Sequence, residues 1–389
     1  MEEWKEYKLG EICKEKGTYG IAASAVPYSD SLYTYLRITD INDDGTLNKQ
    51  GLMSVDEENA DNYLLQPNDI VFARTGNSTG RSYFYDGSDG ELVYAGFLIK
   101  FSLDETKVNP RMLKYYTHSK PYYDWVRSFD TGGTRGNINA KTYGAMPIVL
   151  PPRKIQDRIV SILSSLDSKI ENNRRINANL EQQAQALFKS WFVDFEPFKD
   201  GEFVESELGS IPKGWRVGTL EELLDVKYGK DHKKLSEGAI PVYGSGGFMR
   251  YVNQSLYVGE SVLIPRKGTL NNVMYVEEEF WTVDTMFYTT PKVNNVVLYT
   301  YICLCNKDLQ SMNAGSAVPS MTTKILNNMA IVIPCGNILA DFNSLVHSLF
   351  CKIKHNEQES RHLSTLRDTL LPRLMSGELH VKDIERTAI

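Results

Sequence analysis

The sequence predicts an α+β protein: two pseudo-symmetric α/β domains joined by two long antiparallel helices that form a coiled-coil spacer. Three observations carry the prediction. A heptad-like run fills residues 151–191, the pattern of the globular part occurs twice, and a second run of the same kind follows the second copy.

In the first run, Ile159, Leu163, Leu166, Ile170, Asn173, Asn177, Leu180, Ala184, Leu187 and Trp191 step by four and three along one seam. That spacing predicts a long helix packed against another helix. Roughly 40 residues at 1.5 Å each make a rod of about 60 Å. Pro151-Pro152 presets its first turn, and Pro197 is expected to stop it.

Composition excludes several classes. A chain of 389 residues with 42% hydrophobic content has enough apolar sequence for two or three cores. Five scattered cysteines in mostly apolar surroundings suit buried thiols in a reducing cytoplasm better than a disulfide framework. The N-terminus has no apolar signal core, and no stretch approaches 18 apolar residues, so a soluble cytoplasmic protein with no membrane partner is expected. The net charge of −6 argues against a uniformly basic nucleic-acid binder, yet the window 107–158 holds ten Lys or Arg against three acids.

Residues 1–150 alternate apolar runs with turn signals in TYLRITDIN, QPNDIVFARTGN and GELVYAGFLIKF. They predict short strands, then a helical piece around 110–126 and a glycine-rich loop, DTGGTRGN. A polar connection, FKDGEFVESELGSIPKGW, follows the rod.

From Trp215 the pattern restarts. WKEYKLGEI at Trp4 is echoed by WRVGTLEEL at Trp215, PNDIVFARTG at Pro67 by GESVLIPRKG at Gly259, and MPIVLP at Met146 by MAIVIP at Met329. The offset shrinks from 211 through 192 to 183, so the second copy is 28 residues shorter between similar ends. An offset of 183 then runs through the rod, where Lys169, Ile170, Asn173, Leu180 and Leu187 match Lys352, Ile353, Asn356, Leu363 and Leu370. The partner seam is therefore Phe342, Val346, Leu349, Ile353, Asn356, Ser360, Leu363, Arg367, Leu370 and Leu374. Two such rods separated by a domain pair most simply as antiparallel neighbours in one chain. The segmentation is 1–151, first domain; 152–197, first long helix; 198–334, second domain; 335–389, second long helix and tail. The polar positions Asn173, Asn177, Asn356 and Ser360 either fix register or also form a hydrogen-bonded centre.

No catalytic motif is found: there is no phosphate loop, dinucleotide fingerprint, zinc-protease helix, nucleophile elbow or amino-methyltransferase run. His347, Cys351 and His355 sit a helical turn apart, but no carboxylate or fourth ligand accompanies them in sequence, so no metal is expected. Cys303-x-Cys305 reads as core. What remains are paired polar loops: Arg74 to Ser78 and Thr131 to Asn137 in the first copy, and Tyr243 to Gly247, Arg266 to Asn271 and Gly315 to Thr322 in the second, with Lys227, Lys230, Lys233 and Lys234 nearby. Each alone is compatible with a tight turn. Their recurrence beside a basic window rich in aromatics (Tyr115, Tyr116, Tyr122, Tyr123, Trp125, Phe129) favours nucleic acid. The candidate DNA contacts are Arg74, Thr75, Asn77, Arg135, Asn137 and Lys141 in the first copy. In the second they are Lys230, Lys233, Lys234, Tyr243, Ser245, Arg266, Lys267, Asn271 and Thr322.

Two divergent domains, each followed by a matched long helix, resemble the specificity subunit of a Type I restriction-modification enzyme. The resemblance spans the chain and is strongest in ELGSIPKGW, in PPRKIQDRIVSILSSLDSKIENN with ALFKSWFVDFEPF, and in LRDTLLPRLMSGELHV. It implies that each domain is a target-recognition domain reading one half of a bipartite site in double-stranded DNA. It further implies that the helices set the spacer and dock two modification subunits, which bring S-adenosylmethionine and methylate adenine. Restriction subunits would add ATP- and Mg-dependent translocation and cleavage, and this chain itself would bind no cofactor and catalyse nothing. The alternatives are a duplicated DNA-binding module of another defence or regulatory system and a coiled-coil scaffold.

Overall fold

The computed structural model describes residues 4–129, 136–312 and 320–379. Two compact units divide it, residues 1–171 with 359–389 and residues 172–358. Each unit holds about half of each long helix, Arg153–Phe192 and Gly336–Met375.

In the first unit the all-buried run Asp69–Ala73 lies inside a four-stranded antiparallel sheet, between Leu98–Ser102 and Ser82–Tyr85, with Thr18–Tyr19 at the far edge. A second sheet orders Val26–Pro27, Met53–Val55, Tyr33–Leu36 and Leu92–Tyr94, the last pair parallel. The single helical piece expected around 110–126 is two helices, Pro110–Tyr116 and Lys120–Arg127. Asn109 and Pro110 start the first, with the Asn109 side chain accepting from the Arg111 amide.

The second unit holds one six-stranded sheet in the order Leu224–Tyr228, Met286–Pro291, Tyr257–Pro265, Met274–Thr282, Ile240–Gly244, Gly247–Val252. Only Met274–Thr282 and Ile240–Gly244 pair in parallel. The segment read as a polar connection contains a hairpin, Phe203–Ser206 with Gly209–Pro212. Alternation in FVES and GSIP is too short to stand out from a linker.

The repeat is kept element by element. The long helices are Arg153–Phe192 and Gly336–Met375, 40 residues each and offset by 183 at both ends. The same offset relates the strands Pro147–Leu150 and Ala330–Ile333 and the short helices Ala140–Gly144 and Thr323–Asn327. Each strand before a long helix pairs antiparallel with the first strand of its copy, Lys5–Lys8 or Arg216–Thr219. The first long helix ends at Phe192, earlier than Pro197 requires, because Phe195 turns left-handed (φ 53°) and swings its ring onto Trp215.

Within the first unit, Ile159 and Leu163 are buried in the core that Leu371 and Leu374 close. Leu166, Ile170, Leu363 and Leu370 are half-buried. There Arg367 pairs with Asp167 at 3.0 Å and Lys169 with Glu359 at 3.3 Å. Within the second, Val346 and Ile353 are buried and Leu180, Leu187 and Leu349 pack against them. Asn173 and Asn356 are buried in the same unit. Asn173 Nδ2 donates to the Asn356 carbonyl at 3.3 Å, Asn356 Nδ2 to Asn177 Oδ1 at 2.8 Å, and Asn177 Nδ2 to the Ile353 carbonyl at 3.4 Å. Among the described residues no helix is long and apolar enough to cross a membrane.

Candidate nucleic-acid interface

Each repeat builds the same small constellation around one arginine. Strand Asp69–Ala73 ends at Arg74, and strand Tyr257–Pro265 ends at Arg266. Arg74 lies over the ring of Tyr19, 5.1 Å from its centroid, and Arg266 lies over Tyr228 at 5.3 Å. The backbone is doubled as well. The Arg74 amide donates to Phe97 and its carbonyl accepts from Ile138, at 3.1 and 3.0 Å; the Arg266 amide donates to Thr285 and its carbonyl accepts from Met321, at 2.8 and 2.9 Å. Both arginines are thus held between the sheet and the loop before a short capped helix. The planar guanidinium on an aromatic face is a pre-oriented fork for phosphate or a base edge.

Glycine makes the close approach possible. After Tyr19, a Cβ on Gly20 would sit 2.2 Å from the Tyr94 carbonyl oxygen; after Tyr228, one on Gly229 would sit 2.0 Å from that of Val283. The amides of these glycines donate to Leu98 and Met286, equivalent strand starts. No side chain larger than hydrogen fits, so each Tyr-Gly pair places its ring beside the arginine.

In the first unit this constellation gathers several of the sequence candidates. Thr75 precedes the 3-10 turn Gly76–Ser78 and Asn77 lies within it, and Thr79 ties the turn to the next loop by donating to the Gly136 carbonyl at 3.0 Å. Asn137 is exposed, and Lys141 is exposed on Ala140–Gly144, whose first amide donates to the Tyr19 hydroxyl at 3.1 Å. Arg74 Nε is buried and has no hydrogen-bond partner among the described residues. Arg135, with the loop 130–135, lies outside them.

In the second unit Lys267 bridges to Ser320, and Asn272 donates to the Ser245 carbonyl at 2.8 Å, which brings Ser245 beside Gly268. Lys230 follows Gly229, and its carbonyl accepts from Trp281 Nε1 at 2.9 Å. Lys233 and Lys234 are exposed on the same loop, and Arg250 fastens that loop to the hairpin 240–252 through the His232 and Leu235 carbonyls. Three candidates have structural duties. The Thr322 hydroxyl caps Thr323–Asn327 by accepting from Ile325, the Asn271 side chain holds residues 308–310, and the Tyr243 hydroxyl donates to Glu278 at 3.0 Å.

Two readings of the basic window need correction. Tyr115, Tyr116 and Tyr122 are buried and offer no stacking faces, Trp125 and Phe129 are half-buried against that core, and Tyr123 is exposed. Tyr122 donates to Gly80 at 2.6 Å and Tyr143 to Ala73 at 3.0 Å, on either side of Arg74 in sequence. Among the described residues, the basic side chains Lys107, Arg111, Lys114, Lys120, Arg127 and Arg153 pair with acids of the same unit. The exposed aromatics that do neighbour the arginines are Tyr19, Phe97 and Tyr228, and the hairpin at Ser245 adds Phe248 and Tyr251.

The model of the Type I restriction modification DNA specificity domain matches residues 1–182 and again 212–338. The chain belongs to the Type I restriction-modification specificity family. Among its relatives, the specificity subunit of the MjaIX enzyme of Methanocaldococcus jannaschii is 30% identical over 300 residues, covering 70% of this chain and 69% of that one. The HindI specificity subunit of Haemophilus influenzae is 24% identical over a 474-residue alignment covering 97% of this chain and all of that one. The S subunit of a Type I system from M. genitalium has a similar fold, with a TM-score of 0.57 at 18% identity and 96% of each chain covered. Both matched segments of this specificity-family chain contain one arginine constellation, Arg74 in the first and Arg266 in the second.

Proposed function

We propose that this chain is the non-catalytic specificity subunit of a cytoplasmic Type I restriction-modification complex, and that its two repeats each read one half of a bipartite site in double-stranded DNA. The observation that carries the reading is the duplicated arginine on tyrosine. Two such forks at equivalent places suit two half-sites better than one continuous target. Arg74, Asn77, Asn137 and Lys141 serve the first half, and Lys230, Lys233, Lys234, Ser245, Arg266 and Lys267 the second. Affinity comes from phosphate contacts and discrimination from base edges and local DNA shape.

The antiparallel helix pair is the spacer in this reading, and its polar outer faces dock two modification subunits. Those subunits bring S-adenosylmethionine and methylate an adenine taken out of the stack; restriction subunits add ATP- and Mg-dependent steps. Membership of the specificity family and the matched 40-residue helices support this division of labour.

The test is to map modified adenines in a host genome with and without this chain, the modification subunit being present in both. A two-part motif that appears only with the chain is the expected result. An unchanged pattern would contradict the proposal.

A further inference from the structure

Away from the arginine constellations, three donor groups of different chemistry meet in the second unit. His347 and Cys351 lie one turn apart on Gly336–Met375, and Glu277 lies in strand Met274–Thr282. The sequence shows the imidazole and the thiol but not the carboxylate, which the fold supplies from 70 residues away. His347 Nε2 is 3.1 Å from Glu277 Oε1 and 3.7 Å from Cys351 Sγ. All three donor atoms lie within 4.8 Å of one another.

Those separations can be compared with a tetrahedral zinc ion. Bonds of about 2.0–2.1 Å to nitrogen or oxygen and about 2.3 Å to sulfur give a nitrogen–oxygen edge of about 3.3 Å and a nitrogen–sulfur edge of about 3.6 Å. The two edges lie within about 0.2 Å of these lengths. Cys351 Sγ also lies 3.5 Å from His347 Nδ1, so the imidazole must turn to aim Nε2 at the ion when it binds. We propose that Glu277, His347 and Cys351 form a zinc site with water in the fourth position.

Thiolate, imidazole and a single carboxylate suit zinc and disfavour magnesium or calcium. The Lys354 ammonium donates to the backbone carbonyl of Glu277, which leaves the carboxylate facing His347. The His347 and Glu277 side chains are 37% and 33% exposed, so an ion reaches them without unfolding. The first repeat is a built-in control: Ser164 and Ser168 stand where the offset of 183 puts His347 and Cys351. On binding, the Cys351 thiol gives its proton to solvent, Glu277 binds as carboxylate, and neutral His347 binds through Nε2 with its hydrogen on Nδ1. The ion joins the second long helix to a strand of its own unit. The site does not depend on the DNA-reading proposal, since none of its ligands belongs to the candidate interface.

Titration of the metal-free full chain with zinc chloride tests it. One equivalent is expected to bind, the melting temperature to rise with zinc and fall with a chelator, and C351S and E277Q each to weaken binding by at least about tenfold. Cobalt substitution of the unaltered chain is expected to show a near-ultraviolet thiolate-to-cobalt band, a readout that does not depend on how the variants fold. No bound zinc, unchanged affinity in C351S, or a cobalt spectrum without the thiolate band would overturn the proposal.

Discussion

Arg74 and Arg266 show how much a single position can owe to its neighbours. An arginine on a mobile loop loses rotamer entropy when it binds, whereas one laid on a tyrosine ring, with its backbone anchored on both sides, has given up much of that freedom beforehand. Replacing Arg266 by alanine in the assembled complex should therefore cost about 1–3 kcal/mol of discrimination if the fork reads a base edge. If it binds phosphate, the change should instead lower the salt slope of binding by about one. Fluorescence anisotropy over a salt series measures both, and a variant that matches the parent in affinity and slope would remove Arg266 from the interface. The two arginines are legible in the sequence because their strands echo each other. Their tyrosines are not, because each stands between a polar residue and a glycine, and nothing in that local sequence shows that its ring meets an arginine from a distant strand end. The clue was the Tyr-Gly pair at 19–20 and again at 228–229, whose meaning depends on carbonyls that lie far away in sequence.

Long elements were the easiest to read, since a heptad pattern repeats its message at every turn, and both 40-residue helices follow from it. Short strands and turns carry fewer residues, and there the reading is coarser. The hairpin 203–212 reads as a linker in sequence, and one expected helix is two. Many of the aromatic and basic residues of 107–158 are occupied in packing and ion pairs, because composition records residue types and not their partners.

One of those pairs has a measurable consequence. Lys114 at 2.9 Å and Arg367 at 3.0 Å surround Asp167 in the first unit. Burial alone would raise this carboxyl, and the two cations outweigh it and hold it below its ordinary value. A carboxyl depressed in the folded state contributes stability above its unfolded value, about 3.9, and loses it as pH falls through the lower folded one. In denaturant unfolding, Asp167→Asn is expected to cost about 1–3 kcal/mol near neutrality. The gap should close as the pH drops below about 4. A gap that persists unchanged into strong acid would show that Asp167 acts through packing alone.

At the scale of the whole molecule, the repeat explains why the net charge of −6 is a poor guide to DNA binding. In the proposed reading the cations that meet DNA are a few groups at equivalent loops, while Lys107, Arg111, Lys114, Lys120, Arg127 and Arg153 of the basic window are paired locally. The duplication was legible because similar segments return in order at offsets of 211, 192 and 183. The different strand counts of the two copies were not, since the divergence lies between the shared ends. If each copy reads its own half-site, the copies should be separable in function. The most direct measurement is to replace residues 216–333 with the equivalent segment of a relative of different specificity and to map the methylated adenines. One half of the recognised motif should change while the other half and the spacing remain. A motif left intact, or one altered in both halves, would contradict the account.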